Sequence, residues 1–228
     1  MPKVLLVEDE QFISKILSFY LESKGYNTTC AYTAGEAMGR AREPFDVILL
    51  DILLPDADGI DLCRQLRHWQ NGPIIFLTCL DDSETTIRAL DAGGDDFLTK
   101  PFDNDVLLAR IEANLRRMHA DYAHPAANCI SFGPIELDAN RRVLSKGDSQ
   151  THLPPMECRL LAFLMEHRGQ YFASEELYRY VWGKDSCGDV RTVLVHIRHL
   201  RLKIEDDPNN PAYLKNIWGR GYAFDPAR

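Results

Sequence analysis

Val-Ile-Leu-Leu-Asp-Ile-Leu-Leu-Pro, residues 47–55, is the most informative run of the sequence. Its first four residues are all apolar, which is typical of a strand buried on both faces of a parallel sheet. Open parallel sheets bind their ligands outside the carboxyl ends of the strands. Asp51 is therefore predicted to lie where a carboxylate can take part in chemistry.

Three other short runs lead into polar residues that could join Asp51. The runs at 4–7, 74–77 and 97–99 are followed by Glu8 and Asp9, by Thr78, and by Lys100. Parallel strands place these ends along one edge of the sheet. Carboxylates beside an ammonium and a hydroxyl suit Mg²⁺ and a phosphoryl group. The pattern predicts that Asp51 acts as a nucleophile and forms an acyl phosphate. Lys100 and the metal would offset the charge, and Thr78 would bond a phosphoryl oxygen.

These residues, together with Pro101, Pro55 and Gly59, resemble the receiver domain of two-component response regulators, and the whole chain resembles the OmpR/PhoB subfamily. The resemblance implies that Mg²⁺ is held by Glu8, Asp9, Asp51 and the backbone carbonyl of Leu53. It also implies that Phe97 changes rotamer as Thr78 moves toward the phosphoryl group, although plain core packing would select the same residue. Cys79 replaces the Ala or Gly that usually follows the threonine, and its larger side chain could slow phosphoryl access.

Composition and charge bound the possible functions. A chain of 228 residues with 45% hydrophobic content is long enough for two compact domains. The net charge of −8 divides into −9 for residues 1–127 and +1 for residues 128–228. Residues 191–203 contain three arginines and a lysine but no acid, a clustering expected of a nucleic-acid partner. Six cysteines without a CxxC pair predict free thiols, and the short apolar runs predict a cytoplasmic protein without membrane contact.

Helical patterns alternate with the strands along the first half. In the first helix, which begins at Gln11, Phe12, Ile16 and Phe19 share one face. The alternation predicts an α/β fold with a doubly wound, five-stranded parallel sheet of the flavodoxin-like type. The receiver is predicted to span residues 1–118, and the aperiodic residues 119–127 are predicted to be a linker.

Residues 128–228 predict a winged helix-turn-helix domain of the α+β type. A small antiparallel sheet is expected within residues 130–143, followed by helices at 155–167, 174–181 and 189–205 and a hairpin at 213–224. In the last helix, the residues at helical spacing that should face the core are Val193, Ile197, Leu200 and Ile204.

The resemblance makes this last helix the recognition helix and Gly219–Tyr222 the wing. The predicted DNA-contacting residues are Arg191, Leu194, Val195, His196, Arg198, His199, Arg201, Trp218 and Arg220. Trp218 and His199 stand where relatives often carry an arginine, so the target sequence does not carry over from the family.

The sequence therefore predicts a response regulator rather than an enzyme. A cognate histidine kinase would phosphorylate Asp51, and the winged helix would bind double-stranded promoter DNA and act with RNA polymerase. One alternative is a DNA-binding regulator that works without phosphorylation. A remote one is an aspartyl-phosphate hydrolase of the haloacid-dehalogenase type, which needs a second Asp two positions after the nucleophile, where this chain has Leu53.

The resemblance also implies a homodimer through the fourth helix, fifth strand and fifth helix. The predicted dimer face comprises Ile87, Leu90, Asp96, Ala109 and Arg110. Thr86 and Val106 occupy the positions of a second ion pair, and Asp95 is expected to face Glu112 in place of a cation. Because ion pairs at such a face are worth about 0–1 kcal/mol each, the substitutions predict a weak or phosphorylation-independent dimer.

Overall fold

The computed structural model describes residues 1–79, 83–121, 129–182 and 190–224, without the side chains of residues 83, 116–121 and 191. The chain divides into two compact units after Leu115. None of the helices in the described ranges combines the length and the hydrophobicity that a membrane crossing requires.

The first unit is a parallel sheet with helices between its strands. Its strands are β1 Lys3–Val7, β2 Asn27–Ala31, β3 Val47–Asp51, β4 Ile74–Thr78 and β5 Asp96–Thr99. Its helices are α1 Gln11–Ser23, α2 Ala34–Gly39, α3 Gly59–Leu66, α4 Ser83–Asp91 and α5 Asn104–Asp121. The strand order is β2-β1-β3-β4-β5, and every residue of β3 and β4 is buried. The predicted doubly wound α/β fold is confirmed.

Helix α1 exposes to solvent the apolar residues whose spacing predicted the helix. Phe12, Ile16 and Phe19 are 75%, 45% and 77% exposed. The buried residues of the helix are Ser14, Leu17 and Leu21. The helix thus carries two apolar stripes: Leu17 and Leu21 pack in the core, and the stripe with Phe12, Ile16 and Phe19 faces solvent.

Helix α5 continues through Asp121, beyond residue 119 where the linker was predicted to begin. Residues 122–127, the rest of the predicted linker, lie outside the described residues. The predicted domain boundaries at 118 and 128 stay a prediction.

The described residues of the second unit form a small sheet, three helices and a hairpin. Its strands are β6 Cys129–Phe132, β7 Ile135–Asp138, β8 Val143–Lys146, β9 Ser149–His152, β10 Leu214–Ile217 and β11 Gly221–Phe224. Its helices are α6 Pro155–Glu166, α7 Ser174–Trp182 and α8 Arg191–Ile204. Strands β6 to β9 form one antiparallel sheet in chain order. The sheet was predicted within residues 130–143 and therefore ended too early, since β8 starts at its last residue and β9 lies beyond it. All four residues of β9 are polar and exposed and offer no apolar alternation.

The core of this unit is where the helical spacing of α8 predicted it. Val193, Ile197, Leu200 and Ile204 are all buried there. The hairpin of β10 and β11 packs closely against the chain before α7, where the backbones of Phe172 and Tyr222 exchange hydrogen bonds of 2.9 Å. Gly221 permits this approach, because a Cβ atom there would lie 2.0 Å from the Phe172 carbonyl oxygen. The predicted winged-helix α+β fold is confirmed.

Candidate functional site

The carboxyl edge of the sheet collects the side chains that the sequence predicted to meet. Asp51 is the last residue of β3 and Thr78 the last of β4, while Glu8 follows β1 and Lys100 follows β5. Glu8, Asp51 and Thr78 are 0%, 5% and 2% exposed. Asp9 is exposed beside them. The edge is thus a mostly buried polar cluster with one acid open to solvent.

The Lys100 ammonium joins the two buried acids. Its Nζ donates to Glu8 Oε2 at 2.7 Å and to Asp51 Oδ2 at 2.5 Å. The other Asp51 oxygen, Oδ1, accepts the backbone N–H of Leu53 at 3.0 Å. Both carboxylate oxygens of Asp51 are therefore held in fixed positions, which orients the group at the strand end.

Together, burial and the neighbouring charges raise the pKa values of both Glu8 and Lys100. Burial raises the pKa of Glu8 above its usual value, and the Lys100 ammonium only partly offsets it. Burial alone would lower the pKa of Lys100, but its bonds to Asp51 and Glu8 outweigh burial and raise it. Lys100 is therefore cationic at neutral pH, and the ionised form of Glu8 is disfavoured by its surroundings.

The acids of this edge fit a hard divalent cation. One oxygen from each of Glu8, Asp9 and Asp51 lies within 4.8 Å of the others. Glu8 Oε1 is buried and has no hydrogen-bond partner among the described residues. An unsatisfied buried carboxylate oxygen is costly unless a ligand uses it, and a few carboxylate oxygens completed by water and phosphate are what Mg²⁺ prefers. The position of the Leu53 carbonyl as a ligand stays a prediction.

The loop between β3 and α3 packs closely against the backbone at the end of β3. The Gly59 N–H donates to the Ile52 carbonyl at 2.8 Å, and a Cβ atom at Gly59 would lie 2.1 Å from the Asp51 carbonyl oxygen. Only glycine allows so close an approach without moving the backbone of the strand end. Asp58 caps α3 by accepting the Ile60 N–H at 2.8 Å. These contacts explain why the glycine that the resemblance singled out matters here.

The last helix of the second unit, α8, exposes a narrower stripe than the sequence predicted. Leu194, Arg198 and Leu202 face solvent, and Leu202, which is 60% exposed, was not among the predicted DNA-contacting residues. Their spacing of four residues marks one line along the helix. The Arg191 side chain lies outside the described residues.

Three predicted DNA-contacting residues are corrected by their burial. Val195, His196 and His199 are only 4%, 1% and 9% exposed. The His196 ring lies 5.3 Å from that of Trp182 on α7, and His199 contacts Glu157 on α6. The helical spacing of the core residues predicted that α8 packs through one side. Both α6 and α7 pack against α8, so more of its circumference is buried than was predicted.

Arg201 also has a structural partner. Its Nε and one terminal nitrogen donate to the Leu214 carbonyl at 2.9 and 2.7 Å, which ties α8 to β10. At the wing, Trp218 is 98% exposed and Arg220 is exposed beside it. Leu194, Arg198 and Leu202 on α8 and Trp218 and Arg220 at the wing are therefore exposed residues of the second unit.

Comparison with known proteins matches both units. Residues 4–112 match the response regulator receiver domain, and residues 148–224 match the C-terminal domain of transcriptional regulatory proteins. The response regulator DrrB of Thermotoga maritima, an OmpR/PhoB homologue, is 35% identical, with 99% of each chain covered and a TM-score of 0.52. The chain belongs to the OmpR/PhoB family of response regulators.

Two further solved structures are similar to this response regulator. A mutant of RitR is 26% identical over 99% of each chain, with a TM-score of 0.76. A two-component response regulator from Clostridium difficile is 35% identical over 52% of this chain and 98% of that one, with a TM-score of 0.51. The protein is a two-component response regulator with a DNA-binding, transcription-regulating C-terminal domain, and its family is not one of enzymes.

The predicted dimer face of the response regulator is largely occupied within the receiver itself. Leu90 and Asp96 are 0% exposed, and Arg110 is 5% exposed. Arg110 donates to both oxygens of Asp96 at 2.8 Å in the same chain. Ile87, 37% exposed, and Ala109 remain on the surface. The prediction that Leu90, Asp96 and Arg110 form an exposed face is therefore wrong for this conformation.

The predicted repulsion between Asp95 and Glu112 is also wrong. Asp95 is 0% exposed, bonds the Arg67 guanidinium, and accepts the Ile74 N–H at 2.9 Å. Its charge is neutralised inside the receiver and cannot act across a dimer face. Sequence spacing placed Asp95 beside Asp96 but could not show that Arg67, on the segment after α3, reaches it.

A surface groove beside Lys100 was not predicted. It has a volume of about 420 Å³ and is lined by Glu10, Phe12, Ile13, Ile16, Leu17, Cys79, Lys100, Pro101, Phe102 and Asn104. The groove lies between the outward stripe of α1 and the chain that follows β5. The sequence feature that could have indicated the groove is the outward apolar stripe of α1, which is not part of the core.

Proposed function

We propose that this response regulator accepts a phosphoryl group on Asp51 and thereby controls DNA binding by its winged helix. The observation that carries the proposal is the Asp51 carboxylate, held by the Leu53 N–H and the Lys100 ammonium beside Glu8 and Asp9. A fixed carboxylate with an adjacent cation suits nucleophilic attack on phosphorus.

The transfer divides among the residues of the edge. A carboxylate oxygen of Asp51 forms the new P–O bond, and the bond from phosphorus to the donor, a histidine nitrogen of the kinase, breaks. Lys100 stabilises the charge on the phosphoryl oxygens, and the Thr78 hydroxyl donates a hydrogen bond to one of them. Glu8, Asp9, Asp51 and the Leu53 carbonyl would hold Mg²⁺, which when bound supplies further positive charge to those oxygens.

The added phosphoryl group changes the edge enough to act as a signal. It brings about −1.5 to −2 charges at neutral pH. Movement of Thr78 toward the phosphoryl group would free space for Phe97, whose side chain is 7% exposed and whose backbone pairs with Phe76 of β4. The surface formed by α4, β5 and α5 is the element that the phosphoryl group biases.

The groove beside Lys100 suits the histidine kinase. Phe12, Ile16 and Phe19 expose an apolar surface on α1, next to the edge that the phosphorylated histidine must reach. An exposed apolar patch of this kind is typical of a protein–protein contact. A kinase that binds this apolar surface would have its phosphorylated histidine close to the edge that carries Lys100 and Asp51.

DNA recognition is assigned to the exposed stripe of α8 and to the wing. Arg198 can reach a phosphate or a base edge in the major groove, and Leu194 can contact a thymine methyl group. Trp218 and Arg220 project from the wing toward the adjacent backbone or minor groove. The target is double-stranded promoter DNA, where the protein acts on RNA polymerase. A homodimer through the surface around Ile87 and Ala109 would place two such units on one site.

Phosphoryl acceptance is tested by intact-mass measurement. The chain is incubated with Mg²⁺ and a small acyl-phosphate donor, in parallel with Asp51→Asn and with Asp61→Asn, an exposed aspartate on α3, as the matched control. One phosphoryl group should appear on the parent and on the control but not on Asp51→Asn. A phosphoryl group that persists in Asp51→Asn removes this residue from the role. If the parent takes none but binds DNA, the protein works without phosphorylation, and rapid release of phosphate would instead indicate a hydrolase.

A further inference from the structure

Three side chains of the kind that bind transition metals meet inside the winged-helix unit. Glu157 lies on α6, and His196 and His199 lie on α8. One ligand atom from each lies within 4.8 Å of the other two. The three residues are 2%, 1% and 9% exposed. Their burial removes them from DNA contact and leaves the presence of two histidines beside a carboxylate unexplained by the proposed function.

The fold places the three groups in a geometry close to that of a metal site. His196 and His199 are three residues apart, so both project from one side of α8. His199 Nδ1 is 3.2 Å from Glu157 Oε1. Two ligand atoms on a tetrahedral zinc ion with bonds of about 2.0–2.1 Å are separated by about 3.3 Å. The pair therefore needs little movement to share an ion.

The donor set selects the class of metal. Two imidazole nitrogens and one carboxylate oxygen suit Zn²⁺ and similar first-row ions, whereas Mg²⁺ prefers oxygen ligands alone. In this cluster Glu157 supplies the carboxylate oxygen, and His196 and His199 supply the imidazole nitrogens.

Lys203 is the competitor for this carboxylate. Its ammonium bonds Glu157 Oε2, while His199 faces the other oxygen, Oε1. The Lys203 side chain is 26% exposed, so it can swing into solvent when another cation takes its place. A metal ion and the Lys203 ammonium are alternative counter-charges for one buried acid.

We infer that Glu157, His196 and His199 form a binding site for one zinc-class divalent ion, which displaces Lys203 from the carboxylate. The ion would join α6 to α8, the helix that presents Leu194 and Arg198 to DNA. The inference is independent of phosphorylation at Asp51, since the two sites lie in different units and share no residue.

The test is a cobalt titration of the full chain, stripped with a chelator and kept in excess Mg²⁺ so that the acids of the receiver are occupied. One equivalent of Co²⁺ should give the visible absorption of a tetrahedral site without thiolate charge-transfer bands, and Zn²⁺ should displace it. His199→Gln should weaken binding by more than about 100-fold, because changes outside a ligand set already cost roughly 10–100-fold. His152→Gln, an exposed histidine of β9, is the matched control and should bind like the parent.

Lys203→Met provides a second test, which changes the competitor rather than a ligand of the ion. Removing the competing ammonium should tighten Co²⁺ binding, because the ion then no longer has to displace a counter-charge from Glu157. The inference is overturned if the cobalt spectrum is octahedral or shows thiolate bands, if His199→Gln stays folded by circular dichroism and binds like the parent, or if Lys203→Met leaves the affinity unchanged.

Discussion

Two buried clusters in this protein pair a carboxylate with a lysine, yet their charge balance is opposite. At the edge of the receiver sheet, Lys100 donates hydrogen bonds to both Glu8 and Asp51, and Asp9 lies nearby, so acids outnumber the cation. In the winged helix, the one acid of the cluster, Glu157, contacts both Lys203 and His199. The pKa of Glu8 is raised above its usual value, whereas that of Glu157 is lowered to about 2.

The difference shows what each cluster can bind. The acids are in excess, and Glu8 Oε1 is buried without a hydrogen-bond partner among the described residues, so this cluster can accept an added hard cation. A single acid that is already paired can only exchange its counter-charge, and the incoming ion has to gain enough from the imidazole nitrogens to displace Lys203. The first cluster is therefore suited to Mg²⁺ and phosphate, and the second to stability or to a zinc-class ion.

Removing the acid of the paired cluster should have the largest effect on stability. Glu157→Gln is expected to lower the free energy of unfolding of the winged helix by about 3 kcal/mol, because it leaves the Lys203 ammonium without its buried counter-charge. Urea unfolding followed by Trp182 fluorescence, in a background of Trp69→Phe and Trp218→Phe, measures it. Glu166→Gln, an exposed residue at the end of the same helix, should unfold like the parent. A loss as small as that of the control would mean that the Glu157 cluster contributes no net stability.

The contribution of Glu157 should also depend on pH with a definite sign. The folded-state pKa is about 2, below the ordinary value of 4.5, so the stabilisation is complete above pH 4.5 and is lost as pH falls through this window. The difference in unfolding free energy between the parent and Glu157→Gln should shrink from about 3 kcal/mol at pH 5 toward zero near pH 2. A difference that stays constant over this range would show that the effect of the substitution comes from packing rather than from charge.

The sequence was sufficient where a property depended on one strand and its end. The apolar run before Asp51 predicted a buried central strand, and parallel pairing then placed Glu8, Thr78 and Lys100 on the same edge. Chain order and strand direction determine this arrangement, so no knowledge of side-chain packing was needed.

The sequence was insufficient where a helix could pack in more than one way. Helical spacing gives a period but not the side that is buried, so the outward turn of Phe12 and the inward turn of His199 were both missed. Contacts between distant segments, such as Arg67 with Asp95 or Glu157 with Lys203, require the fold before they can be identified. The wrong expectation of a repulsive dimer face came from the first of these pairs.

Neutralising Glu8 in the acid-rich cluster should not destabilise the receiver, in contrast to the effect expected of Glu157→Gln on the winged helix. Because the pKa of Glu8 is raised, its ionised form opposes folding, and stability falls as pH rises from 4.5 through the folded-state pKa. Glu8→Gln should therefore leave the unfolding free energy of the receiver at pH 7 unchanged or raise it by up to about 1 kcal/mol, while slowing phosphoryl transfer to Asp51. Urea unfolding followed by Trp69 fluorescence, together with the intact-mass assay, measures both quantities. A loss of stability comparable to that of Glu157→Gln would show that the two clusters are not opposite in kind.

The smallest expected effect is on DNA binding, and it compares an exposed residue of α8 with a buried one. Arg198 is exposed and belongs to the proposed DNA surface, whereas His199, the next residue, is turned toward Glu157. If Arg198 contacts a phosphate, Arg198→Ala should lower the slope of log affinity against log salt by about 0.9; if it contacts a base, the cost should be roughly 1–3 kcal/mol at one position. His199→Gln should leave both the slope and the base preference unchanged wherever the protein is folded. Fluorescence anisotropy on labelled promoter DNA over a series of salt concentrations distinguishes the two variants. A reduced slope in His199→Gln would mean that this histidine turns outward on DNA, and the cluster with Glu157 would then have to open for binding.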